Sequence, residues 1–133
     1  MPQRGIRVLL LGQSVQRLMI QTLLFGDLPA VARLDPVADA EAALAALARE
    51  TGRYDLVLVV DRNHGADAIA FADEMSSRLG PGAAHAPFVV ALAHELPPEA
   101  EGRIRRSGAC AASLLLPLSH PGFSALLQGL FLV

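Results

Sequence analysis

The sequence predicts a single α/β domain in which a five-stranded parallel sheet is doubly wound, with helices on both faces. Five short apolar runs occur along its 133 residues. Segments whose apolar residues recur with helical spacing separate these runs. The runs are apolar nearly throughout, which is typical of parallel strands that are buried on both faces. Strict alternation of strand and helix implies a parallel sheet, and the length suits one hydrophobic core.

The first half of the chain contains three predicted strands and two helices. Ser14 can cap the helix that follows the first strand, and Gly26 stops this helix. Asp35 and Pro36 are expected to end the second strand, and Gly52 closes the Ala-rich helix after it. The elements predicted here are a strand at Ile6–Leu11, a helix at Val15–Phe25, a strand at Ala30–Leu34, a helix at Asp39–Glu50 and a strand at Leu56–Val60.

The second half continues the same alternation. Proline is tolerated in the first turn of a helix, so Pro97 and Pro98 are expected to start one, which Gly108 stops. The predicted elements are a helix at Ala66–Leu79, a strand at Phe88–Leu92, a helix at Pro97–Arg106, a strand at Ala112–Leu116 and a last helix from about Pro121. The expected buried positions of the first of these helices are Ile69, Phe71, Met75 and Leu79.

Composition and charge exclude several classes of protein. The content of 53% hydrophobic and 18% charged residues excludes a disordered chain. The net charge of −2 is not the excess of positive charge that is typical of nucleic-acid-binding domains. No apolar run approaches the roughly 18 residues of a membrane-spanning helix. The single cysteine, Cys110, excludes an intramolecular disulfide. It fits a reducing compartment, and we expect a cytoplasmic protein.

Five segments resemble a known family. The longest is Tyr54–Ile69 (YDLVLVVDRNHGADAI), in which an acidic residue leads into an apolar strand, a loop and a helix. The others are Arg7–Ser14 (RVLLLGQS), Ala38–Leu47 (ADAEAALAAL), Pro87–His94 (PFVVALAH) and Ser107–Pro117 (SGACAASLLLP). In their order along the chain, these segments resemble the receiver (CheY-like) domains of bacterial response regulators over nearly the whole sequence. The resemblance implies a flavodoxin-like (βα)5 fold with strand order 2-1-3-4-5.

The residues of the receiver phosphorylation site are replaced or displaced in this chain. The resemblance places the phosphoacceptor at Val60, with the nearest carboxylate one residue later at Asp61; a shift of one residue in a strand turns the side chain to the other face. By the same resemblance, Gly12 and Gln13 occupy the positions of the two acidic residues that hold magnesium in receivers. Leu92 occupies the position of the receivers' Ser or Thr, and Leu116 that of their lysine. Together with Val60, these residues are the degenerate-pocket positions. The chain contains no lysine. We therefore expect a pseudo-receiver that binds no Mg²⁺ or other cofactor and is not an enzyme.

Two other functions remain open from the residues. If the third strand ends one residue later, Asp61 is a phosphoacceptor in a two-component phosphorelay. Alternatively, a small molecule or nucleotide binds at the carboxyl edge of the sheet, where Gly12, Gln13, Asp61 and His94 would line the pocket. The four histidines are dispersed without metal-ligand spacing, and Asp67 is expected to be a carboxylate in the first turn of its helix.

Several surfaces are candidates for protein–protein contact. The first predicted helix carries more apolar residues than one buried stripe requires, including Ile20 and Leu24. Arg103 and Arg106 belong to a basic patch on the fourth helix, and Leu130 lies on the apolar last helix. We expect a homodimer, or docking to a downstream output domain or regulatory protein, without nucleic acid or membrane contact. We interpret the chain as one receiver-like domain, with two alternatives left open: its last helix packs over its whole length, or the chain is the N-terminal part of a longer protein. Atypical receivers of TadZ/CpaE-type pilus-assembly ATPases are one setting that the resemblance implies.

Overall fold

The computed structural model describes residues 6–12, 31–49, 54–60, 66–79, 87–93, 95, 97–107, 112–115, 125, 126 and 128–130. Within them the strands are β1 (Ile6–Leu11), β2 (Val31–Val37), β3 (Leu56–Val60), β4 (Phe88–Ala93) and β5 (Ala112–Leu115). The helices are α1 (Ala40–Arg49), α2 (Ala66–Leu79) and α3 (Pro98–Ser107). Residues 125, 126 and 128–130 are helical, within the predicted last helix. The predicted helix at Val15–Phe25 lies outside the described residues.

The five strands form one parallel sheet in the order β2-β1-β3-β4-β5. The predicted fold class and strand order are therefore confirmed. The order reverses direction at β1, because the chain goes from β1 to β2 on one side and then crosses to β3 on the other. In open α/β sheets, ligands bind outside the carboxyl ends of the strands at such a switch point.

Both faces of the sheet are buried, as expected for a doubly wound fold. Side chains alternate between the two faces of each strand. One face packs against the three helices. The core on this side contains Leu9, Leu11, Val57, Val59, Val89 and Ala91 of the strands and Leu44, Leu47, Phe71, Met75 and Ile104 of the helices. The opposite face carries Val8, Leu10, Leu56, Leu58, Val90 and Leu92, all of which are completely buried.

Strand β2 continues past the residues that were expected to end it. It runs through Pro36 to Val37, and Pro36 pairs in register with Leu10 of β1. Strand β2 lies at the edge of the sheet and hydrogen-bonds to β1 alone. Proline, which has no N–H to donate, is tolerated in such an edge strand. The predicted end at Leu34 is therefore wrong. The other described boundaries lie within one residue of the prediction.

Helix α1 begins with a side-chain cap. The Asp39 carboxylate accepts a hydrogen bond of 2.8 Å from the N–H of Ala42, and the Asp39 carbonyl accepts one of 3.1 Å from the N–H of Ala43. We expect Asp39→Ala to lower the free energy of unfolding by about 1 kcal/mol, because an N–H in the first turn loses its acceptor. Urea denaturation tests this, with the exposed Asp73→Ala on α2 as the matched control. An equal loss in both variants would contradict a capping role.

The amino ends of β1, β3 and β4 are tied together at Asp55. Its carboxylate accepts a 3.0 Å hydrogen bond from the N–H of Arg7 and lies 3.5 Å from the Arg7 Nε. Its own N–H donates to the Arg7 carbonyl at 2.9 Å, and its carbonyl accepts from the N–H of Phe88 at 3.1 Å. The neighbouring Tyr54 is buried, and its hydroxyl donates to the Asp35 carboxylate on β2 at 2.6 Å. These bonds hold the amino ends of the strands in place. They thereby help to fix where the carboxyl ends of the same strands lie.

Candidate functional site

Among the described residues, the carboxyl ends of β1, β3 and β4 carry glycine or apolar side chains at positions that the sequence resemblance assigned to reactive groups. Gly12 follows β1, and its N–H donates to the Val37 carbonyl at 3.1 Å, which ties this turn to β2. Val60 ends β3 with a partly exposed side chain and lies in register with Leu92, which is completely buried. Of the predicted pocket positions, Gly12, Val60 and Leu92 are therefore brought to one edge of the sheet.

Four further predicted site residues are not among the described ones. Asp61, Gln13 and Leu116 lie outside the described residues, as does His94. The described residues supply no carboxylate at Gly12 or Val60 and no hydroxyl at Leu92. The side chains at these three positions therefore offer no oxygen ligand of the kind that Mg²⁺ prefers.

A cleft opens beside these strand ends, between α1 and α2. Its volume is about 400 Å³, which is within the range of small-molecule sites. The strand ends contribute Leu11 and Gly12 from β1 and Val59 and Val60 from β3. The helices contribute the apolar side chains Ala40, Leu44, Ala70 and Phe71 and the carboxylates Glu41, Asp67 and Glu74. The cleft thus lies at the switch point of the sheet, with an apolar floor and an acidic rim.

Arg78 joins two carboxylates of this rim. Its Nη2 lies 3.0 Å from Glu41 Oε1, and its Nε lies 2.9 Å from Glu74 Oε1. Hydrogen bonds to Glu41, and secondly to Glu74, raise the pKa of the Arg78 guanidinium, which is therefore charged at every ordinary pH. The three side chains are 46–75% exposed, so the pairs add little to stability. Their structural effect is to link the first turn of α1 to the last two turns of α2.

The charge of the cleft restricts its chemistry. Asp67 lies in the first turn of α2, as predicted. No lining side chain within the described part of the chain is basic. The described residues also contain no group of three His, Cys, Asp or Glu side chains that could hold a metal ion. An acidic rim of this kind repels phosphate and other anions.

The predicted interaction surfaces are described only in part. Arg103 and Arg106 are exposed on α3, as is Arg105. Leu130 is partly exposed in the last helical segment, whereas Ile20 and Leu24 lie outside the described residues. None of the helices in the described ranges is long and apolar enough to span a membrane.

Sequence reasoning predicted a pocket at this edge with Gly12 in its lining, but it missed the residues of α1 and α2 that form the cleft. Its signal in the sequence was weak, because only the Glu74–Arg78 pair has the i,i+4 spacing of neighbours on a helix surface. Glu41 lies 37 residues before Arg78, and only the packing of α1 beside α2 joins them. The small buried residues Ala43 and Ala72, which were not predicted as core positions, lie on the packed faces of these two helices.

No protein-family model and no curated protein matches this chain. The comparison with solved structures does find similar folds. A two-component response regulator from Cytophaga hutchinsonii is 17% identical with a TM-score of 0.80, covering 98% of this chain and 100% of that one. The match therefore extends over almost the entire length of both chains.

Two further structures have related descriptions. An atypical orphan response regulator, described as having a phosphorylation-independent regulatory mechanism, is 20% identical with a TM-score of 0.66, covering 94% of this chain and 92% of that one. A CpaE2 pilus assembly protein from Sinorhizobium meliloti is 17% identical with a TM-score of 0.68, covering 95% and 100%. The chain therefore has the fold of response-regulator receiver domains, as the sequence resemblance implied. Identities this low establish the fold alone.

Proposed function

We propose that this chain is an atypical receiver domain of bacterial signal transduction, which acts through protein–protein contacts and without aspartyl phosphorylation. In this proposal the domain has no catalytic activity of its own. It forms a homodimer or docks to an output domain or a regulatory protein.

The observation that carries the proposal is the chemistry of the carboxyl edge. Phosphoryl transfer depends on positioning and on neutralising the charge of the phosphoryl group. Gly12 has no side chain, and Val60 and Leu92 are apolar neighbours in register. An edge of this composition supports regulation by contacts instead of phosphorylation. The fold likeness to a regulator described as phosphorylation-independent agrees with this.

The exposed arginines of α3 support a contact surface. Arg103 and Arg106 are three residues apart and therefore share one side of the helix, whereas Arg105 points in a different direction. Guanidinium groups are suited to pairing with carboxylates of a partner. The fold likeness to a pilus assembly protein gives one biological setting for such contacts.

Charge reversal tests the homodimer form of the proposal. We expect Arg103→Glu and Arg106→Glu to weaken self-association by about fivefold or more, because each replaces an attractive charge at the contact with a repulsive one. Sedimentation velocity over a concentration series measures the dissociation constant. Arg105→Glu on the same helix is the matched control and should associate like the wild type. A wild-type chain that stays monomeric at all concentrations would contradict the homodimer.

A further inference from the structure

We propose that the cleft between α1 and α2 binds a small organic cation, in which a positively charged nitrogen group is attached to an apolar body. This goes beyond the proposed interaction function and does not depend on it. The site would give the domain an effector that acts without phosphorylation.

The position and shape of the cleft point to a ligand. It lies at the switch point between the carboxyl ends of β1 and β3, where ligands of open α/β sheets bind. Its volume of about 400 Å³ is large enough for a small molecule and too small for a protein domain. Leu11, Leu44 and Phe71 form an apolar floor, which would desolvate the body of a ligand.

The charge of the rim selects the sign of the ligand. Glu41, Asp67 and Glu74 contribute three carboxylates, and Arg78 is the positive group paired with two of them. Within the described residues, the formal charges of these three carboxylates and of Arg78 sum to −2. Arg78 is not a lining residue, so the apolar interior is not filled by its side chain. Glu74 engages Arg78 through Oε1, and its side chain is 52% exposed, so this rim stays accessible to a second cation.

The same electrostatics argue against a nucleotide at this place. A nucleotide brings two or more negative charges to its site and needs basic groups or free N–H groups to hold them. The described lining residues contain no basic side chain, and the N–H of Gly12 is already bonded to Val37. A cation with an apolar body matches both parts of the cleft.

Benzamidine is the probe that tests the proposal, because it joins an aromatic ring to an amidinium cation. Sodium benzoate has the ring with the opposite charge, and methylammonium chloride has a cation without a comparable apolar body. Each is titrated at equal ionic strength into ¹⁵N-labelled protein and followed by amide chemical shifts. We expect saturable shifts at Gly12, Ala40 and Ala70 with benzamidine, and no saturable shifts there with the other two compounds.

Two substitutions locate the binding in the cleft. Ala70 is exposed on α2 and lines the cleft, so Ala70→Leu fills the cleft while retaining a good helix former. It should abolish saturable binding, and Glu41→Gln should weaken it by about fivefold, since one carboxylate of the rim is lost. The matched controls are Ala45→Leu, at an exposed alanine of α1 outside the lining, and Glu101→Gln on α3. Both should bind like the wild type.

Three outcomes would overturn the proposal. The first is the absence of saturable benzamidine shifts in the wild type. The second is equal binding of benzoate. The third is wild-type affinity in Ala70→Leu, which would place the benzamidine elsewhere.

Discussion

Phe71→Ala is expected to lower the free energy of unfolding by about 3 kcal/mol. The ring is only 4% exposed, belongs to the core beneath α2 and also forms part of the cleft floor. Truncating a buried phenylalanine removes its transfer free energy and leaves a cavity, which together cost about 3–5 kcal/mol. The lower end of this range is expected because the new space joins an existing cleft that solvent can enter. Urea denaturation at equilibrium measures the loss.

A second phenylalanine provides the control for this prediction. Phe88 begins β4 and is 40% exposed, so Phe88→Ala removes the same atoms from a less buried place. We expect this variant to lose no more than about 1.5 kcal/mol. Equal losses for the two variants would mean that Phe71 does not pack in the core as described.

Asp55→Ala is expected to lower the free energy of unfolding by about 2 kcal/mol. The carboxylate accepts the Arg7 N–H at 3.0 Å and lies near the Arg7 Nε. Both side chains are only about 20% exposed, so removing the carboxylate leaves donors of Arg7 poorly solvated. Loss of one partner of such a partly buried contact costs about 1–3 kcal/mol. Urea denaturation monitored by circular dichroism measures the effect.

Asp55→Asn separates the hydrogen bond from the charge. The amide retains an oxygen that can accept from the Arg7 N–H, but it cannot form an ion pair. We expect it to recover about half of the stability that Asp55→Ala loses. If Asp55→Ala is as stable as the wild type, Asp55 does not hold the amino ends of β1 and β3 together in the way we describe.

The sequence predicted the sheet well because parallel strands have a strong local signature. Leu56–Val60 is an apolar run between clear boundaries, and its bounds were predicted without error. The end of β2 was missed because Asp35 and Pro36 are turn residues by local preference. Pairing with β1 on one side of an edge strand overrides that preference.

Of the candidate site, only the residues at the carboxyl ends of the strands could be predicted from the sequence. Gly12, Val60 and Leu92 are placed by the order of the elements, so their meeting at one edge could be anticipated. The cleft depends on how α1 packs beside α2, and the approach of Glu41 to Arg78 has no local signature. The small side chains Ala43 and Ala72 allow this close packing, but alanine is too common in helices to signal it.

The central claim is that the domain has the receiver fold without receiver phosphorylation. Its most direct test is the intact mass of the wild type and of Asp61→Asn after incubation with acetyl phosphate and Mg²⁺, with an ordinary receiver domain labelled in parallel. We predict no adduct of about 80 Da, the mass of one phosphoryl group, on either protein under conditions that label the ordinary receiver. An adduct on the wild type that is absent from Asp61→Asn would contradict the claim and would make Asp61 a working phosphoacceptor.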